Sequence, residues 1–157
     1  MTAKNQYLLI AREVSTDAND KMNSIIKIIE KFGFTIDLEK FQLERQAAGG
    51  KHLALPIKYT IATSWIFSEK LKKETFFNFR IKIMDPEGES LGGPDQENLL
   101  PADVNRINMN FTMDGLPVTK AGVYTLRAEL LSKGGEVLAK ETYPFEVELT
   151  DDSRARQ

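Results

Sequence analysis

Acidic side chains are the residues of this chain best placed to do chemistry. Asp85, Glu87, Glu89, Asp95 and Glu97 fall in one stretch rich in turn formers. Calcium takes roughly 6–8 oxygen ligands, and loops at one end of a sheet protein can supply them. Asp17, Asn19 and Asp20 form a second set with the same donors. Neither set completes an EF-hand, because the twelfth position counted from Asp17 is Ile28 and the required glycine is missing. Solvated turns explain both sets, so the five acids stand only as weak calcium candidates and no metal site is assigned.

Other chemistries run short of parts. His52 is the one histidine, and a Ser-His-Asp arrangement would have to use it. Its neighbours Gly49-Gly50-Lys51 indicate an exposed loop, and no second histidine exists for a metal pair or a two-histidine acid–base site. With no cysteine, disulfides, Cys-ligated zinc, iron–sulfur clusters and thiol nucleophiles drop out together. A pair of glycosidase-type carboxylates cannot be chosen among 23 acids by spacing. Gly49-Gly50-Lys51 and Gly92-Gly93-Pro94 lack the spacing of a phosphate loop or a dinucleotide fingerprint. No catalytic residue, cofactor or cofactor-binding residue is therefore expected.

Lys70, Lys72 and Lys73 lie between Trp65/Phe67 and Phe76/Phe77, and basic residues interleaved with aromatics can hold single-stranded nucleic acid. Alternation places most of those aromatics on a buried face, so the lysines read as a turn guarding strand ends. The balance of 21 basic and 23 acidic residues, net −2, also offers no basic footprint.

The elements that must position these groups are extended. Ile57, Tyr59, Ile61, Trp65 and Phe67 share one parity; so do Phe77, Phe79, Ile81 and Ile83. Ile107, Met109, Phe111 and Met113 form a third set, and Tyr124, Leu126, Ala128 and Leu130 a fourth. A period of two means strands with one buried face. Gln6–Val14 reads as a first strand, followed by turn formers from Ser15 to Asp20. Residues 22–34 fit helix by pattern and strand by β-branched content, so pattern alone leaves them open. Asp37–Ala48 has helix-forming composition and ends at Gly49-Gly50; it reads as a short helix or a charged excursion. Strands are expected over Ile57–Phe67, Thr75–Met84 and Arg106–Met113, with Glu89–Val104 as a loop. Val123–Leu131 and Glu136–Leu149 form a hairpin across Ser132-Lys133-Gly134-Gly135. In its second arm Val137, Ala139, Tyr143, Phe145, Val147 and Leu149 share a face that Glu141 interrupts, and Pro144 indicates an edge or a bulge.

The chain of 157 residues suits a single domain over residues 1–150, with a polar, disordered tail at 151–157. At this size roughly 68–70% of the unfolded chain's surface can be buried without a staple. The N-terminus has no apolar signal core, and Tyr7–Ile10 is too short for a membrane span, so a cytoplasmic location is expected. Many strands and at most one short helix near 37–48 imply an all-β, mainly antiparallel two-sheet sandwich, immunoglobulin-like or C2-like.

Several stretches carry a resemblance: Tyr7–Asp17 followed by Asn23–Glu30, Leu55-Pro56, Asp85-Pro86-Glu87-Gly88, and Ala121-Gly122-Val123-Tyr124-Thr125-Leu126. Together they resemble a family of small bacterial β-sandwich proteins known only as a domain of unknown function, over most of residues 6–149. The resemblance implies that Asn23–Phe32 is strand. The insertion from Asp37 to Lys51 departs from the compact form, and no functional residues come with the family.

The expected function is that of a non-enzymatic binding or assembly module, with a protein partner or self-association and no nucleic acid or membrane. Its working surface is either the loop end carrying Asp85–Glu97 or a sheet edge able to accept a strand. Small-molecule ligands are left open. The alternatives are a carbohydrate module, with Trp65 and Tyr59 stacking on sugar if they face outward, a calcium-binding module, and a hydrolase built on loop carboxylates.

Overall fold

Alternation turns into strands wherever it occurs. The computed structural model describes residues 1–16 and 23–152, and among these it contains nine strands and one helix. They are β1 (Ala3–Thr16), β2 (Asn23–Ile28), β3 (Lys31–Ile36), α1 (Leu38–Ala47), β4 (Leu53–Phe67), β5 (Thr75–Met84), β6 (Asp95–Leu100), β7 (Arg106–Val118), β8 (Gly122–Ser132) and β9 (Val137–Asp151). One sheet has the order β2-β1-β4-β7 and the other β3-β9-β8-β5-β6. All pairings are antiparallel except β3 with β9. The chain is an all-β sandwich, and its inner faces supply the core: Ile10, Tyr59, Ile61, Trp65, Phe79, Ile81, Leu126 and Phe145 are all buried.

The two sheets share a side through the chain itself. Residues 23–36 are strand throughout except for a break at Ile29-Glu30, where the chain passes from one sheet to the other. Ile29 N–H donates to Ile10 O at 2.7 Å, and Glu146 N–H donates to Glu30 O at 2.9 Å. The Tyr143 hydroxyl donates to Ile29 O at 2.8 Å. The strand implied for Asn23–Phe32 is thus two strands, divided because its two halves find partners far apart in sequence.

A second corner is a tyrosine corner of the kind found in immunoglobulin-like sandwiches. Tyr124, fully buried near the start of β8, donates its hydroxyl to Lys120 O at 2.7 Å and accepts from Thr119 N–H at 3.0 Å. The hydroxyl thereby satisfies backbone groups where the chain leaves β7 for the other sheet.

Three expectations need correction, and the condition set for sugar stacking is not met. Glu89–Val104 is not a loop throughout: it contains β6, whose Asp-Gln-Glu-Asn start shows no apolar alternation and which pairs with β5 from Thr75↔Leu100 to Arg80↔Asp95. The last strand runs to Asp151, which pairs with Ile36, so the polar tail does not begin there; residues 153–157 lie outside the described residues. Val137 is exposed, not inward. Leu130 faces Ala139 while Leu131 faces Val137, so Leu138 bulges and the parity changes. Trp65 and Tyr59 are each 1% exposed, so neither can stack on a sugar.

The segment 37–48 is a helix for local reasons. Asp37 caps it, its carboxylate accepting from Lys40 N–H at 3.1 Å. Asp151 on β9 accepts from Leu38 N–H, tying the helix to the sheet. Arg45 closes the other end by donating to Gly50 O and Lys51 O. Phe41 is the side chain that anchors α1 on the core.

Candidate functional site

The loop-end acids do not converge. Asp85 is buried, and its carboxylate is fully committed: Oδ1 accepts from Glu87 N–H and Glu89 N–H, both at 2.9 Å, and Oδ2 accepts from the Thr119 hydroxyl at 3.2 Å. It fastens the β5–β6 turn to the tyrosine corner. Glu87 pairs with Lys120, and Glu89 is exposed. Asp95 sits on β6, where it pairs with Arg80 at 3.1 Å. Arg80 also approaches Glu129, a buried acid that Arg127 holds from the other side. Glu97 is exposed on the same edge strand. Among the described residues no three acids or histidines gather as a metal set. Asp17, Asn19 and Asp20 lie outside the described residues.

A cleft of about 370 Å3 does form at this end, bringing together segments that spacing could not connect. Arg45, Lys51, His52 and Lys120 line it beside Asp85, Glu87, Glu89 and Thr119. His52 is exposed as expected, and the carboxylate deepest in the cleft is the one already spent on the turn. A second groove of about 480 Å3 runs beneath α1, with Ile36, Phe41, Leu53 and Leu55 along its apolar side. Lys70, Lys72 and Lys73 are exposed around buried Leu71, which exchanges hydrogen bonds with Val104 O and Asp103 N–H. Of the flanking aromatics only Phe76 reaches the surface, and Lys133 lies 5.0 Å above its ring.

The sheet edges differ in how they are protected. An edge strand exposes unpaired N–H and C=O groups, and proteins blunt it with charge, shortness, proline or a bend. β3 is six residues long, with Lys31 ion-paired to Glu148. β6 is six residues long and carries Asp95 and Glu97. β2 is six residues long, and Lys27 bends it at a positive φ of 54°. β7 is different. It is thirteen residues long, and among the described residues only β4 pairs with it. Its register runs unbroken from Ile66↔Arg106 to Lys58↔Asp114 and shifts only beyond, where Gly115 takes φ 103°. Between Arg106 and Asp114 lies Ile-Asn-Met-Asn-Phe-Thr-Met, with no charge, proline or glycine. Ile107 and Phe111 face the core, with Met109 and Met113 half-buried beside them, while Asn108, Asn110 and Thr112 lie exposed on the outer face, where Asn110 Nδ2 donates to Thr16 Oγ1 at 3.4 Å. The composition of this segment is visible in sequence, but its position at an edge is not, because strand order leaves no trace in a period of two.

No family model matches the chain, and no curated protein matches it. Among solved structures it is similar to an immunoglobulin-like protein from Pseudomonas aeruginosa, at 11% identity over 94% of this chain and 98% of that one, with a TM-score of 0.35. It is also similar to a Niemann-Pick type C2 protein from the Japanese carpenter ant, at 14% identity over 94% of each chain and a TM-score of 0.47. A β-glucosidase from Listeria innocua aligns at 8% identity and a TM-score of 0.46 over 96% of this chain, which spans 16% of the glucosidase. Likeness at this level assigns no site residue. No helix among the described residues is long and apolar enough to cross a membrane.

Proposed function

We propose that this chain is a non-enzymatic binding or assembly module for protein partners, and that it receives them at the free edge of β7 by strand addition. One observation carries this reading. Arg106–Asp114 is a regular, uncharged-centred edge, whereas the other sheet edges among the described residues are short, charged or bent. Strand addition draws affinity from main-chain hydrogen bonds and specificity from alternate side chains. Half-buried Met109 and Met113 supply soft, adaptable surface on the inner side of that edge. The loop-end cleft supports a binding role less well, because its central carboxylate is consumed by the turn.

The test is amide hydrogen exchange by NMR, with a synthetic nonapeptide of alternating valine and threonine as probe, at dilutions where the protein is monomeric. Every second amide from Ile107 to Met113 already bonds to β4. The intervening ones should gain protection on adding peptide, while β6 amides do not. Protection confined to another strand, or none at peptide saturation, would remove β7 as the accepting edge.

A further inference from the structure

We propose that the strand added at β7 is β7 of a second copy, joined antiparallel about a two-fold axis at Asn110. This rests on reading β7 as an accepting edge, and it names the partner and the register. Arg106 and Asp114 stand at equal distances on either side of Asn110 and bound the regular part of the strand. Two copies paired antiparallel on that centre set Arg106 of each against Asp114 of the other. Ile107 then meets Met113, Asn108 meets Thr112, Met109 meets Phe111, and Asn110 meets itself.

Every facing pair is compatible. Apolar residues oppose apolar residues on the inner face, polar oppose polar on the outer face, and both charges find opposite partners. Within one copy neither Arg106 nor Asp114 has an ion pair among the described residues, and both are exposed. The second copy gives each one a partner. Other registers do worse. A slip by two residues sets Arg106 against Thr112 and leaves Asp114 unpaired. An odd slip brings inner side chains against outer ones. In-register parallel pairing sets like charge beside like charge.

A two-fold interface of this kind is self-complementary and closed, so it makes a dimer and not a fibre. It joins two four-stranded sheets into one of eight strands, held by about eight to ten main-chain hydrogen bonds at two per hydrogen-bonded pair. It also removes the exposed edge, which answers the hazard that an uncharged Ile-Asn-Met-Asn-Phe-Thr-Met edge poses.

Sedimentation equilibrium of the full chain tests the proposal through charge reversal. The wild type should dimerise. Arg106→Asp and Asp114→Arg should each weaken the dimer by about tenfold or more, because two facing pairs turn repulsive. The double variant should recover most of the loss. A second measurement uses the absence of cysteine: Asn110→Cys should give a disulfide-linked dimer under mild oxidation, and Leu99→Cys on β6 should not. A wild type monomeric at about 0.1 mM, well above micromolar dissociation constants, overturns the self-pairing. So does a dimer indifferent to both reversals. Peptide protection of β7 would then show whether the accepting edge survives without it.

Discussion

Tyr59, Tyr124 and Tyr143 each spend a hydroxyl on a backbone carbonyl where the chain departs from regular pairing. Tyr59 donates to Gly115 O at 3.2 Å beside the irregular turn of β7; Tyr124 serves the corner at Lys120, and Tyr143 the crossover at Ile29. Irregular backbone leaves carbonyls without ladder partners, and a tyrosine is long enough to reach them from within an apolar layer. The arrangement has a consequence for pH. Burial pushes the Tyr59 hydroxyl up from 10.0 to about 12. Burial, followed by the Glu30 carboxylate, raises Tyr143 in the same direction. The folded state therefore holds these protons more tightly than the unfolded chain. Their contribution is intact below about pH 10 and is lost as pH rises toward 12. For Tyr59 the loss amounts to about 2–3 kcal/mol at roughly 1.4 kcal/mol per unit. Denaturant midpoints measured from pH 8 upward should fall steeply above about pH 10. Tyr59→Phe should cost about 0.5–1.5 kcal/mol at neutral pH, the worth of one hydrogen bond, and should flatten part of the alkaline slope. An unchanged slope in that variant would place the alkaline transition elsewhere.

At the scale of elements, Gly92-Gly93-Pro94 finds a role that has nothing to do with phosphate. Residues 91–94 run against β5 ahead of β6: Ile81 N–H donates to Pro94 O at 2.8 Å, and Ile83 N–H donates to Gly92 O at 2.9 Å. The approach at Gly93 is so close that an added Cβ would sit 2.1 Å from Ile81 O. The atoms it would meet are all backbone of Ile81 and Lys82, so nothing flexible is there to yield. Gly93→Ala should thus destabilise by about 2 kcal/mol or more and loosen β6, which amide exchange along Asp95–Leu100 would report. A variant as stable as wild type would mean that this segment does not hold the edge in place. Elements whose partners lie on one inner face were legible beforehand: β4, β5, β7, β8 and most of β9 follow their alternating residues. Those set by distant partners were not. β6 is polar and gains its identity from Phe77 and Phe79 across the ladder. The break at Ile29-Glu30 depends on Ile10 and Glu146. The same limit applies to the candidate site, since the bare segment 107–113 is written in the sequence but its exposed edge follows from strand order.

At the scale of the whole molecule, aromatic rings join the two layers. Phe32 of β3 meets Tyr59 of β4 at 5.4 Å between ring centroids and Phe145 of β9 at 5.7 Å. Elsewhere Phe67 of β4 meets Phe77 of β5 at 5.0 Å. Phe32–Phe145 lies within the five-stranded sheet, whereas Phe32–Tyr59 and Phe67–Phe77 cross between the layers; each crossing contact adds about 0.5–1.5 kcal/mol beyond its buried area and is lost if either sheet departs. The parallel ladder from Lys31↔Glu146 to Ile36↔Asp151 ties the first third of the chain to its last strand, and the crossover makes that ladder continuous with the opposite sheet. Neither layer can then keep its inner face covered alone, so the molecule should unfold as one cooperative unit. The single tryptophan makes this checkable, because Trp65 is buried on β4 and reports the four-stranded sheet, whereas far-ultraviolet ellipticity reports both sheets. The two signals should trace one denaturation curve with one midpoint. If fluorescence moved first while ellipticity held, the four-stranded sheet would be unfolding from a stable remainder, and the aromatic contacts between the layers would not be what binds them.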